Sequence, residues 1–240
     1  MTVTVVMPAW NEESGIAEFV REIATSLAPS SSAFVVIDDA STDGTASAVR
    51  ALLAEGIDVA VLTNLSNLGH GPSTVRALTE GLARDAVAVV SIDGDGQFSG
   101  ADVARIVRAL LESDADVVEG VRVNRDDPWF RIAASAATRA LVWTRCWRLP
   151  RDANTPLRAY RPGALRRLLG AVPPEAMTPN LIISALSRRL SLDVVELPVY
   201  SQPRRGASSV GTTWGAARTA LPSRRFLSFC VKATAEWVRM

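Results

Sequence analysis

Short β-branched runs separated by single helix-length segments constrain this chain more than any other feature. The runs are "VTVVM" at 3 to 7, "FVVI" at 34 to 37, "VAVL" at 59 to 62, "VAVVSI" at 87 to 92 and "ADVVEG" at 115 to 120. Between them, 12 to 28, 44 to 55, 72 to 84 and 100 to 113 are rich in Ala, Leu and Arg, with apolar positions at helical spacing. Tight hairpins cannot join parallel strands, so strands alternating with helices imply crossover connections. The expected class is α/β: a Rossmann-like, mainly parallel sheet flanked by helices. Such sheets bind ligands at the carboxyl ends of their strands.

Residues 129 to 240 are less regular. They read as an amphipathic helix at 129 to 147, a loop "RLPRDANTPLRAY", helices near 162 to 170 and 178 to 190, a strand "DVVELPVY" and a basic loop "SQPRRGASSVG", with helical stretches after Gly211 and Pro222. No repeat or long linker divides the chain, and 240 residues of 48% hydrophobic content suffice for one core. The expectation is a single catalytic domain over 1-240, with a binding half at 1-128 and a helical acceptor-side half at 129-240.

A formal charge of +1 conceals a partition. Residues 1 to 128 carry 8 Lys and Arg against 20 Asp and Glu, whereas 129 to 240 carry 18 against 5. The basic half suits an anionic partner, phosphate or an acidic membrane surface. Nucleic acid ranks last, because no recognised binding module is present. Cys146 and Cys230 lie far apart in sequence, which argues against a disulfide framework and for a reducing compartment. The N-terminus lacks a signal-like apolar core, and no stretch reaches the roughly 18 apolar residues of a spanning helix. A cytoplasmic location without a membrane span is therefore expected.

Two acidic motifs fall at predicted strand ends. In "VIDDASTDGT", Ser41, Thr42 and Asp43 can cap the following helix, while Asp39 can accept hydrogen bonds from a nucleobase or ribose. In "SIDGDGQF", Asp93 and Asp95 stand two residues apart in a glycine-broken turn. A solvated Asp-Gly turn accounts for them. So does a magnesium site, since that ion needs only one or two protein carboxylates when substrate phosphates complete its shell. "NLGHGPS" lacks the dinucleotide fingerprint, which excludes a nicotinamide cofactor, and His70 reads as a loop histidine without a chemical duty.

In order, "MPAWNEE", "VIDDASTDGT", "NLGHGPSTVRALTEGL", "SIDGDGQF", "GVR", "RDANTPLRAY" and "VVELPVYSQPRRGASS" resemble the family 2 glycosyltransferases of the GT-A fold. The likeness is to the polyprenol-phosphate sugar synthases in particular, such as dolichol-phosphate mannose synthase. The resemblance implies that Pro8, Trp10 and Glu12 line the nucleotide pocket and that Asp39 touches the base or ribose. It makes Asp93 and Asp95 the metal and diphosphate motif, served by Mg2+ or Mn2+, with Gln97 beside them. Arg122 takes the place of the arginine in the family's "GSR" pattern. Arg204, Arg205 and Ser209 match the basic loop that closes on the donor diphosphate or acceptor phosphate.

The implied activity is metal-dependent, inverting transfer of a sugar from a GDP- or UDP-linked donor. A lipid phosphate is already an anionic nucleophile, whereas an alcohol acceptor requires a base. Asp95, Asp152 and Arg205 are the catalytic candidates, Asp152 as an acceptor-site base or a residue that positions an arginine. Two segments depart from the polyprenol pattern: "DANTPLRAY", and "PNLIIS", which puts Ile182 where relatives often carry an acid. A soluble small-molecule acceptor, or a non-catalytic nucleotide-sugar-binding protein, therefore stays open beside polyprenol phosphate. Trp129, Phe130, Trp143 and Trp147, interleaved with Arg131, Arg139, Arg145 and Arg148, suit either an interfacial helix at the inner face of a membrane or one packed on the sheet.

Overall fold

The computed structural model describes residues 1–123, 129–205 and 224–239. The chain runs β1 (Thr2–Ala9), α1 (Ile16–Leu27), β2 (Ser31–Asp38), α2 (Thr45–Ala51), β3 (Asp58–Thr63), α3 (His70–Leu82), β4 (Ala88–Ser91), α4 (Gly100–Glu112) and β5 (Val117–Val123). There follow α5 (Trp129–Cys146), β6 (Arg158–Tyr160), α6 (Pro162–Leu169), α7 (Pro179–Arg189), β7 (Val194–Tyr200) and α8 (Arg224–Arg239). Each β-branched run of the sequence becomes a strand. The strand order is β3-β2-β1-β4-β6-β5-β7, parallel throughout except for β6.

Period-two alternation divides the core between the two faces of the sheet. Val3, Val5 and Met7 of β1 join Ile16, Phe19 and Ile23 of α1 and Ile106 and Leu110 of α4 on one face. Val6 of β1 joins Val75 and Leu78 of α3, Leu165 and Leu168 of α6, and Ile183 of α7 on the other. The helices of the second half thus complete the cover over the sheet built by the first. A smaller cluster of Val142, Ala153, Leu181, Ala185 and Trp237 ties α5, α7 and α8 together.

The one strand the sequence concealed is β6, read above as part of a loop. It has three residues, and Arg158 stands where alternation would demand an apolar side chain. Arg158 is directly opposite Glu119 of β5 in register, and both are fully buried. Arg158 Nη1 lies 3.1 Å from Glu119 Oε1, and Arg188 Nη2 of α7 donates to Glu119 Oε2 at 2.9 Å and to Glu196 Oε1 at 2.8 Å. Arg158 also donates to the carbonyls of Thr155 and Ala153, each at 3.0 Å. Charge pairing has replaced hydrophobicity as the signal for burial here, and hydropathy cannot detect it.

Candidate active site

The carboxyl ends of β1, β2 and β4 converge on one crevice. Two non-glycine residues adopt left-handed backbone there, Asn11 (φ 55°) after β1 and Ala40 (φ 57°) after β2, a strain tolerated where surrounding contacts hold it. Those contacts stitch the two loops together. Asn11 N donates to Ser41 Oγ at 3.0 Å, Thr42 N to Asn11 Oδ1 at 2.8 Å, and Glu12 N to Thr45 Oγ1 at 2.8 Å. Pro8 is buried, and its carbonyl accepts from Gly94 N at 3.2 Å, so the end of β1 fixes the acidic turn after β4. Trp10 stands at the crevice mouth, 37% exposed rather than packed in the core.

Asp39 is held at the end of β2 by donors from the loop before α3. Its carboxylate accepts from Asn64 Nδ2 at 2.6 Å, Leu68 N at 2.8 Å and Gly69 N at 2.9 Å, and the residue is only 3% exposed. Three donors from the protein engage it, which fixes the loop before α3 at the crevice floor.

The turn after β4 brings the charged groups together. Asp95 is 5% exposed; its Oδ1 accepts from Gln97 N at 3.1 Å and its Oδ2 from Arg204 Nε at 3.1 Å. Arg204 Nη1 also lies 3.8 Å from Glu12 Oε1. Burial pushes the Asp95 carboxyl up to about 6, Asp93 adding to the rise and Arg204 opposing it. Burial likewise pushes Glu12 up to about 7, opposed by Arg204 and reinforced by Asp95 and Asp93. His70 begins α3 and puts Nε2 3.5 Å from Asp93 Oδ1, so the histidine read as idle stands beside the acidic turn.

The segment 202 to 205 runs across this turn as a strap. Gln202 N donates to Gln97 O at 2.8 Å, Gln97 Nε2 to Gln202 O at 3.4 Å, and Arg205 N to Asp95 O at 3.0 Å. The two arginines then part. Arg204 enters the crevice, whereas Arg205 turns back to α1, where it pairs with Glu22 and lies over the Phe19 ring at 5.2 Å. The resemblance implies a phosphate contact for Arg205; in this structure its guanidinium is held by the carboxylates of α1. Ser209 lies outside the described residues.

Arg122 and Asp152 form a two-pronged pair, Nε to Oδ2 at 2.7 Å and Nη2 to Oδ1 at 3.0 Å, with Arg122 Nη2 also donating to Asn154 O at 3.3 Å. Of the two roles considered for Asp152, the geometry favours holding an arginine. Both carboxylate oxygens of Asp152 are engaged by the guanidinium, which fixes the arginine's direction.

Among the described residues, no three His, Cys, Asp or Glu side chains form a metal cage. The donor set nevertheless fits a hard cation that arrives with a diphosphate: Asp93 and Asp95 supply oxygens, and the remaining positions fall to phosphate and water. Sheets of this topology bind ligands at the carboxyl ends of their strands, which is where the acidic turn and Arg204 stand.

The family model "Glycosyl transferase family 2" matches residues 4–165. The chain belongs to glycosyl transferase family 2. Curated relatives include the undecaprenyl-phosphate 4-deoxy-4-formamido-L-arabinose transferases of Sodalis glossinidius (strain morsitans), 29% identical over 210 residues, and Edwardsiella ictaluri (strain 93-146), 27% identical over 213. These matches cover 86% and 87% of this chain but 62% and 63% of the relatives, so the chain spans about three-fifths of their length. The glucosyl-3-phosphoglycerate synthase of Mycobacterium tuberculosis superposes with a TM-score of 0.65 at 20% identity, covering 99% of this chain and 80% of that one. A mannosyltransferase from Pyrobaculum calidifontis, in complex with GDP-Man and Mn2+, gives 0.62 at 21%, covering 99% and 64%. The likeness shows the GT-A fold.

Proposed function

We propose that this chain is a metal-dependent, inverting glycosyltransferase that moves a sugar from a nucleoside-diphosphate donor to a phosphate acceptor, polyprenol phosphate first among them. The observation that carries the reading is the buried Asp95, held between Asp93, Glu12 and Arg204 at the carboxyl end of β4. A binding protein has little need to set two buried carboxylates against one guanidinium with a third acid beside them. A site that must neutralise a departing diphosphate does.

In this reading an acceptor phosphate oxygen attacks the anomeric carbon as the bond to the diphosphate breaks, and the electron pair leaves on the diphosphate oxygen. A divalent cation, when bound, supplies Lewis-acid stabilisation of that oxygen. Asp93 and Asp95 would hold the cation, and Gln97 braces the turn. Arg204 is within reach of both the turn and an incoming diphosphate, and Trp10 and Glu12 border the donor. Arg122, held by Asp152, offers a fixed cation on the acceptor side. The chain acts as one catalytic unit, 1-128 serving mainly the donor and 129-240 mainly the acceptor, with Arg204 and Arg122 each reaching across to the other side.

The relatives' names and the surface of α5 support a lipid acceptor and peripheral contact with the inner face of a membrane. Ala136, Ala140 and Trp143 of α5 and Trp147 just beyond it are exposed at helical spacing, Trp143 and Trp147 meet edge to face at 5.2 Å, and Arg148 and Arg151, both exposed, follow in the chain. No helix among the described residues is long and apolar enough to cross a membrane.

The test is release of UDP or GDP from a panel of nucleotide sugars with Mg2+ or Mn2+. The arms are a short polyprenol phosphate, soluble phosphates such as phosphoglycerate, and no acceptor. Sugar-dependent release with polyprenol phosphate, absent in Asp95→Ala, is expected. Release only with a soluble acceptor would replace the lipid, and nucleotide binding without release under any arm would sink the enzyme.

A further inference from the structure

We infer that Glu22, a residue of α1 outside every motif, is a positioning residue that sets the donor site through Arg205; the inference rests on the glycosyltransferase reading. Glu22 reaches two elements at once. Its Oε1 accepts from Gly100 N, the first residue of α4, at 2.6 Å, and its Oε2 pairs with Arg205. Gly100 closes the segment that starts at Asp93, and Arg205 closes the strap that carries Arg204. One carboxylate therefore fixes the far end of both pieces that meet at Asp95.

Packing makes this anchor specific. A Cβ on Gly96 (φ +69°) would fall 2.6 Å from Arg205 Cγ and Cδ, and one on Gly15 would fall 2.7 Å from Arg205 Cβ. The stem of Arg205 thus passes between the acidic turn and the start of α1, where only glycine leaves room. Phe19 lies beneath the guanidinium at 5.2 Å, and Glu18 Oε1 is 3.8 Å from Nη1. With the guanidinium seated and Arg205 N bonded to Asp95 O at 3.0 Å, the backbone before it directs Arg204 onto Asp95 and Glu12. Arg205 is thereby reassigned, from a diphosphate contact to the pin that aims its neighbour. Displacing a positioned charge by an ångström is costly to sites of this kind.

A double-mutant cycle tests the strut. Glu22→Gln keeps an acceptor for Gly100 N but removes the charge facing Arg205, and Arg205→Gln removes the other partner. Mn2+-dependent affinity for UDP and GDP is measured by calorimetry on the full chain, with melting temperatures alongside. Each single variant is expected to weaken binding about three- to ten-fold, the double no more than the worse single, and all to melt within a few degrees of wild type. The charge swap Glu22→Arg with Arg205→Glu should recover part of the affinity, and donor KM should rise more than kcat falls. Losses that multiply in the double variant, or affinities unmoved in the singles, overturn the strut. Failure of the wild type to bind either nucleotide with metal removes the donor-site reading, and the strut with it.

Discussion

At Asp95 the chain holds a carboxylate where burial disfavours its charge, and Glu12 repeats the arrangement 3.8 Å from the same arginine. Both groups titrate above their ordinary values, to about 6 and about 7. The folded protein therefore binds more protons than the unfolded chain between about pH 4 and pH 7, and stability falls as pH rises through that window. The metal-free protein should lose on the order of 4 kcal/mol of unfolding free energy between pH 5 and pH 8 from these two groups. Asp95→Asn should recover about half of that loss, as read from urea midpoints at the two values. The same substitution should lower sugar transfer at least about 100-fold, because it removes both charge and coordination where the leaving group develops its own. A variant that keeps its turnover would displace Asp95 from the chemistry. These residues were legible in sequence as an Asp-Gly-Asp turn after an apolar run, a local pattern. The direction of Arg205 was not legible, since it depends on Glu22, more than 180 residues away in the chain.

Elements show the same division. Strands β1 to β5 and helices α1 to α4 were readable because each writes its burial as apolar periodicity, and β7 was readable for the same reason. Strand β6 was hidden because its buried face is ionic. Glu119 of β5 is what keeps Arg158 and Arg188 compensated in the interior, and Arg188 in turn joins α7 to β7 through Glu196. Glu119→Ala should therefore cost about 3 to 5 kcal/mol in urea unfolding, as expected when one partner of a buried pair is removed and the others are stranded. Glu119→Gln, which preserves shape and an acceptor, should cost less. An alanine variant within about 1 kcal/mol of wild type would mean that water reaches Arg158 and that the cluster is not a true interior pair. A milder effect is expected at α8, where Glu236 accepts from Met177 N at 2.7 Å and Thr178 Oγ1 at 2.7 Å at the start of α7. Glu236→Gln should cost about 1 kcal/mol and increase amide exchange over 176 to 182, the N-terminal turn it secures.

Across the whole molecule, the proposed function gives the acidic and basic halves of the sequence different tasks. The acidic half places carboxylates at the crevice, where a cation and a diphosphate can neutralise them together. The basic half carries Arg148 and Arg151 beside Trp143, Trp147 and Leu149, which are 44%, 77% and 55% exposed. Tryptophan side chains suit the headgroup layer because the ring is apolar and its N–H can still find water, and arginines nearby add attraction to anionic lipid. Neither contribution is large alone, so binding should need both. Sedimentation with vesicles containing about one-third anionic lipid should carry the protein down at low salt, with the bound fraction falling as salt shortens the Debye length to about 8 Å and below. The double variant Trp143→Ala, Trp147→Ala should reduce binding at every salt concentration, while Arg148→Ala with Arg151→Ala should act mainly at low salt and flatten the salt dependence. Neither pair touches the crevice, so UDP or GDP affinity with Mn2+ should stay at the wild-type value. If wild type and the tryptophan variant sediment alike, α5 is not the membrane-facing surface, and a soluble phosphate becomes the better acceptor for the same chemistry.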